Sequence, residues 1–294
     1  MIPIVDAHHH IWRQADLPWL QGQMVPRIFG PYEPIRRDYP IEEFLADLAG
    51  TGVEKSVYVQ TNWAKDGAVR EVEWVQGVAD AHGFPHAIVG YADLLGETVA
   101  ETLAAQARNP LMRGIRMQLH WHENEMYRFA PRPDLMNEPK FRENLRRVAE
   151  RGWSFDLQVF TSQMADAAKL AADNRDIVFV LQHAGMLEDR SPAGRAAWRE
   201  GMKRLAQEPN IVSKTSGLGT FIHANDAAHI ADVVAATIEL FGAERCLFGS
   251  NFPIEKLWTG YADLVAAHRA ALAAYPEAVQ RQVLHDTAVR VYRL

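Results

Sequence analysis

The segment "PIVDAHHHIW" near the start of the chain sets Asp6, His8, His9 and His10 within five residues. Side chains alternate along a strand, so His8 and His10 share a face and His9 turns the other way, toward packing. An H-x-H pair at a strand end is a spacing at which two imidazoles can hold a divalent ion or handle a proton. Further polar groups close apolar runs later in the chain: Arg116 and Gln118 before His120 and His122, Asp156 and Gln158, His183 after "IVFVLQ", Lys214, and Asn251 within "FGSNFP". The fork of Arg116 suits a substrate carboxylate, and it suits a carboxylate of the protein interior equally well. Lys214 divides between an ion pair with an acid such as Asp6 and a binding ammonium. Glu71, three residues before Trp74 on the same helix face, either points toward the barrel mouth or is solvated, and the solvated reading leads. Asn251 is neutral, so it can position water or donate a hydrogen bond but cannot act as a base near neutral pH.

These residues need elements to bring them together. Eight short apolar runs alternate with eight amphipathic segments, the pattern of parallel βα units. The strand-like runs are Ile2–Ala7, Lys55–Gln60, His86–Tyr91, Arg113–Leu119, Trp153–Val159, Ile177–His183, Ile211–Ser216 and Arg245–Ser250. The helix-like segments lie near 41–51, 67–82, 96–108, 139–151, 162–174, 193–207, 225–242 and 259–274, several closed by a glycine. The count predicts an α/β fold, a (β/α)8 TIM barrel in one domain over residues 1–294. No GxGxxG or P-loop favours a doubly wound sheet instead. Two long connections, 11–40 with Trp12, Trp19, Phe29 and Tyr32, and 120–138, follow strands 1 and 4. In a barrel both emerge at the C-terminal mouth, where they would wall the pocket. The closing "PEAVQRQVLHDTAVRVYRL" reads as a helix pair sealing the structure.

Composition narrows the classes. At 294 residues, 48% hydrophobic and 23% charged, the chain has ample material for a core. A net charge of −6 leaves no basic footprint for nucleic acid or an anionic membrane. Neither partner is expected, and homo-oligomerisation stays open. The single Cys246 excludes an intramolecular disulfide and reads as a small buried hydrophobe. No basic leader and no run of 18 apolar residues is present, so a cytoplasmic location is expected.

Taken together, "DAHHHIW", "RGIRMQL", "FDLQVF", "VLQHAG", "SKTSGLG" and "FGSNFP" resemble the amidohydrolase superfamily, in the branch called amidohydrolase 2 that holds sugar lactonases and 2-pyrone-4,6-dicarboxylate lactonase. The resemblance runs the full length. It implies a hydrolase that opens a small, often acidic lactone by water attack at the carbonyl. It also implies a ligand set of the H-x-H pair, here His8 and His10, a strand-5 His or Glu, the strand-6 His183, and a strand-8 Asp that serves as base. Here strand 5 presents Gln158 and strand 8 presents Asn251. Neutral amides are weak metal ligands and no bases, which argues against a two-metal site. One Zn²⁺ on His8, His10 and His183 stays open, with metal-free turnover ahead of it.

The expected catalytic set is therefore His183 as base, a strand-1 histidine (His8 or His10) as its partner, and Asn251 on the water. Arg116, Lys214, Gln158, His120 and Trp12 are the expected substrate contacts. The alternatives are a lactone isomerase, a metal-dependent decarboxylase or other amidohydrolase, and a non-catalytic binding barrel.

Overall fold

The computed structural model describes residues 2–294. Eight parallel strands follow one another in a single sheet: β1 Ile4–His9, β2 Val53–Val59, β3 Ala87–Gly90, β4 Met112–Ile115, β5 Ser154–Leu157, β6 Phe179–Leu181, β7 Ile211–Thr215 and β8 Cys246–Phe248. Between and after them lie α1 Ile41–Leu48, α2 Ala68–His82, α3 Val99–Gln106, α4 Pro139–Ala149, α5 Met164–Ala172, α6 Pro192–Ala206, α7 Ala227–Phe241 and α8 Tyr261–Leu272. This is the predicted (β/α)8 barrel. Several strands are shorter than their apolar runs. The run 113–119, for example, leaves the ladder after Ile115, because beyond that point the chain fans outward to form the mouth.

The barrel is nearly closed. Between β1 and β8 no ladder forms, and the seam is made just past β8 by Asn251 N donating to His8 O (2.7 Å) and His10 N donating to Phe252 O (2.8 Å). The Asp6 carboxylate locks it, accepting from Ser250 N at 2.8 Å, Ser250 Oγ at 2.6 Å and Tyr261 Oη at 2.8 Å.

Alternation along the strands divides the apolar residues into two packed sets. Ile4, Ile88, Ile115, Phe155 and Phe179 belong to the larger, with Phe44, Val72, Leu103, Leu145 and Leu170 of the helices. Val5, Val57, Ala87, Val180, Val212 and Leu247 form the smaller with Ala288, Val291 and Tyr292. The C-terminal segment thus inserts Tyr292 against the strands, as the sealing role requires. Its two helices, Glu277–Arg281 and Thr287–Tyr292, are joined by a π-turn, Gln282–Asp286, rather than a loop. Gly83 illustrates the helix punctuation: at φ +73° it caps α2, its N–H bonding to Ala79 O. Cys246 is buried. No helix among the described residues is long and apolar enough to cross a membrane.

Candidate active site

A cavity of about 360 Å³ opens at the C-terminal ends of the strands. His10, Arg116, Gln118, His120, Gln158, His183 and Asn251 line its floor and walls, with Trp12, Trp19, Arg27 and Phe29 from the long loop after β1 and Tyr127, Arg128 and Phe129 from the loop after β4. Both predicted wall segments reach it.

His8, His10 and His183 converge. The His8 ring centroid lies 5.0 Å from that of His10 and 4.9 Å from that of His183. His10 Nδ1 is 2.6 Å from Val59 O and His183 Nδ1 is 3.0 Å from Ser216 Oγ, so each has its second nitrogen left over. Both ring nitrogens of His8 are buried without a partner. Burial, with the charges of Arg116 and Lys214, pushes His183 down to about 3. His8 and His10 are lowered too, chiefly by burial. All three imidazoles are neutral at physiological pH. His9 stacks on Phe44, with ring centroids 3.9 Å apart, as expected of a packing residue.

Strict alternation does not hold for all of β1. Its register against β2 shifts between Asp6 and His9, and His8 N donates to Asp6 Oδ1 at 3.0 Å. Asp6 is thereby turned to the β1–β8 seam and away from the histidines. It also does not pair with Lys214. That ammonium, fully buried, bonds Asp156 Oδ2 at 3.0 Å and lies 5.4 Å from the centroid of the Tyr292 ring. Of its two sequence readings the structure realises the ion pair: Lys214 is not on the cavity wall, and its charge acts on His8 and His183 from behind.

Arg116 is buried beside the cavity. Its Nη2 donates to Gln60 O at 2.5 Å, while Nε has no partner. Burial lowers it to about 10, so it stays cationic. Gln158 Oε1 and His120 Nδ1 are likewise buried and unpartnered, each a free polar group at the cavity. Trp12 is fixed by Nε1 donating to Arg37 O at 2.8 Å and offers its face.

The chain turns sharply where β6 and β8 reach the mouth. His183, Ala184 and Met186 have φ of 53°, 47° and 51°, and Asn251 has φ 57°, a left-handed conformation that Asn tolerates better than most residues. Backbone geometry therefore favours Asn or Asp at 251 and does not choose between them.

Of two buried acids, one, Glu71, reads as solvated in the sequence, and the other, Glu255, is not singled out there. Glu71 is not solvated: it accepts from Tyr58 Oη at 2.8 Å and Thr61 N at 2.7 Å, holding the turn after β2, because α2 packs that face inward. Glu255, four residues past Asn251, is 1% exposed and accepts from Trp258 Nε1 at 2.8 Å. Burial pushes it up to about 8, while its hydrogen bonds to Trp258, Asn251, Thr220 and Gly219 pull the other way. Its place within "IEKLW", beside a mouth residue, was the available signal.

Three imidazoles are suitable donors for a divalent ion. Among the described residues, however, no group of three His, Cys, Asp or Glu side chains is arranged to hold one. Gln158 and Asn251 add only neutral amide oxygens. As placed, the three imidazoles and two neutral amides are not a complete ligand set.

The relatives agree with this architecture. An uncharacterised protein of Sinorhizobium fredii, y4mH, is 36% identical over all of this chain and 99% of its own length. An L-fucono-1,5-lactonase of Burkholderia multivorans is 28% identical, covering 99% of this chain and 96% of its own. The crystal structure of a Burkholderia multivorans amidohydrolase with bound Zn superposes with a TM-score of 0.83 over 99% of both chains, at 25% identity. The amidohydrolase profile matches residues 5–294. The chain belongs to the amidohydrolase family.

Proposed function

We propose that this protein hydrolyses a small anionic lactone without requiring a metal ion. The observation that carries the reading is the charge of the cavity: Arg27, Lys65, Arg116 and Arg128 line it and among the described residues no carboxylate does, although Lys65 and Arg128 are paired outside it with Asp93 and Glu125. Arg116 keeps a buried donor unspent, which costs on the order of 1–3 kcal/mol unless a ligand accepts it. A substrate carboxylate would do so. The similarity to an L-fucono-1,5-lactonase supports the lactone ring.

In this reading a water sits between His183 and Asn251. Its oxygen bonds to the lactone carbonyl carbon as His183 accepts its proton. The ring C–O bond then breaks, and the proton passes to the leaving alkoxide. Arg116 cannot both bind the substrate carboxylate and carry the whole oxyanion, so the unpartnered ring nitrogens of the histidines share the second task. Burial is the larger cause of the low His183 value, and an anion beside Arg116 offsets the smaller part that comes from positive charge, making the imidazole a somewhat better base when substrate is bound.

A pH-indicator assay across aldonolactones and carboxylated lactones tests this, since ring opening by water releases acid. We expect turnover of carboxylated lactones. Arg116→Gln should raise KM for them by about tenfold or more, the loss of a charge-assisted pair, and change KM for neutral lactones little. No acid release from any lactone would defeat the reading. Turnover should also survive exhaustive dialysis against a chelator, with metal content measured in parallel. Loss of activity restored by zinc alone would move the three imidazoles into a metal-binding role.

A further inference from the structure

Past β8 the backbone folds back on itself. Asn251 O accepts from Ile254 N at 2.9 Å and Glu255 N at 3.3 Å, which brings the Glu255 side chain beneath that of Asn251. Asn251 lines the cavity, whereas Glu255 lies behind it. The Glu255 carboxylate accepts from Trp258 Nε1 at 2.8 Å and Thr220 Oγ1 at 3.4 Å, and the Asn251 side chain and the Gly219 backbone N–H lie close enough to favour its charged form. The space is tight: a Cβ on Gly219 would stand 2.6 Å from Glu255 Oε2. Among the described residues no Lys, Arg or His lies within ion-pair distance of this acid.

The chemistry of the partners decides how the amide sits. An indole N–H and a backbone N–H can only donate, and a charged carboxylate can only accept. Toward that carboxylate Asn251 must turn its Nδ2, which leaves Oδ1 for the cavity. A buried carboxylate without a cation is costly, and a glutamine of the same shape would hold Trp258 nearly as well. Anchoring the loop therefore does not account for the charge; orienting an otherwise symmetric amide does.

We propose that Glu255 is a positioning residue that locks the Asn251 amide with Oδ1 facing the cavity, so that it accepts a hydrogen bond from the attacking water. The inference rests on the hydrolytic reading above. In it the pair stands in for a single strand-8 carboxylate: Asn251 supplies the acceptor and Glu255 supplies the charge that aims it.

The test uses the full-length protein at pH 9, above the value of about 8 to which burial raises Glu255, so that the carboxylate is predominantly charged. Glu255→Gln should lower kcat about tenfold or more while KM stays within about twofold, because a mis-aimed acceptor affects the water and not the lactone. The exchange variant Asn251→Asp/Glu255→Gln, with acid and amide in each other's places, should recover most of the lost kcat. Equal changes in kcat and KM, or no recovery on exchange, would overturn the proposal. An independent readout comes from asparagine-labelled ¹⁵N spectra, with Asn251 assigned by its loss in Asn251→Asp. One Asn251 amide proton should be shifted downfield by the charged acceptor and should return upfield in Glu255→Gln. If Glu255→Gln does not fold, the wild-type spectrum alone decides: an undisplaced Asn251 amide pair overturns the proposal. A protein that opens no lactone would defeat the functional reading and leave this spectroscopic result to stand or fall separately.

Discussion

Gly217 has room for a hydrogen and nothing larger. A Cβ there would stand 2.5 Å from His183 Nδ1, the nitrogen that meets Ser216 Oγ, and its φ of +60° is a conformation a side chain resists. Gly217→Ala should therefore displace the imidazole and cut kcat/KM by about 100-fold, as a misplacement near 1 Å can do. Ser216→Ala, which removes only the hydrogen bond, should cost far less, and the ratio of the two rate losses checks the steric argument. At this scale much of the site was legible. His8, His10, His183, Arg116, Gln158, His120 and Asn251 were all singled out as polar groups closing apolar runs, and the structure brings them to one end of the barrel. Glu71 and Glu255 were not legible, because a carboxylate on an amphipathic segment looks solvated until its hydrogen-bond partners, ten or more residues distant for Glu71, are known. Lys214 was legible only as a choice of two roles.

Among the elements, β1 and β8 meet without a ladder, so two backbone bonds past β8 and the Asp6 side chain carry the seam. Asp6 takes four hydrogen bonds there, from His8 N, Ser250 N, Ser250 Oγ and Tyr261 Oη, and is completely buried. Burial raises its carboxyl above the usual range, while these donors act in the opposite sense. Asp6→Ala leaves four buried donors without this acceptor, and only Ser250 Oγ has another, His8 O at 3.3 Å. We expect a loss of about 3–5 kcal/mol in urea unfolding, the range for breaking a buried charged network. Since Asn251 N is held by His8 O on the same seam, activity in surviving folded protein should fall too. A destabilisation under about 1 kcal/mol would mean that the seam is held elsewhere. The eight strands and eight helices themselves were readable from periodicity and glycine punctuation. The register shift in β1 was not, because it depends on which backbone group Asp6 finds across the barrel.

Over the whole molecule, buried neutral histidines make stability depend on pH. Burial pushes His9 and His120 down to about 3, against about 6.5 in an unfolded chain. Above pH 6.5 neither state is protonated and their full contribution to stability is present. As pH falls toward 3 the unfolded chain binds protons that the folded one refuses, so stability drops, by about 1.4 kcal/mol per pH unit for each such histidine. The urea midpoint should therefore be lower at pH 5 than at pH 7.5. His9→Leu, which removes a ring with no hydrogen-bond partner, should flatten that slope. An unchanged slope would show that His9 is not held neutral. The sequence by itself determined the (β/α)8 fold, the mouth at which the chemistry gathers and the residue types that reach it, because hydrophobic period and strand ends are local properties of the chain. Only the tertiary structure decided which charges face the cavity and which are spent in the interior: Lys214 on Asp156, Asp6 on the seam, Glu255 behind Asn251. Those pairings join residues as far as 255 positions apart, and the energy of a buried charge is set by its neighbours in space.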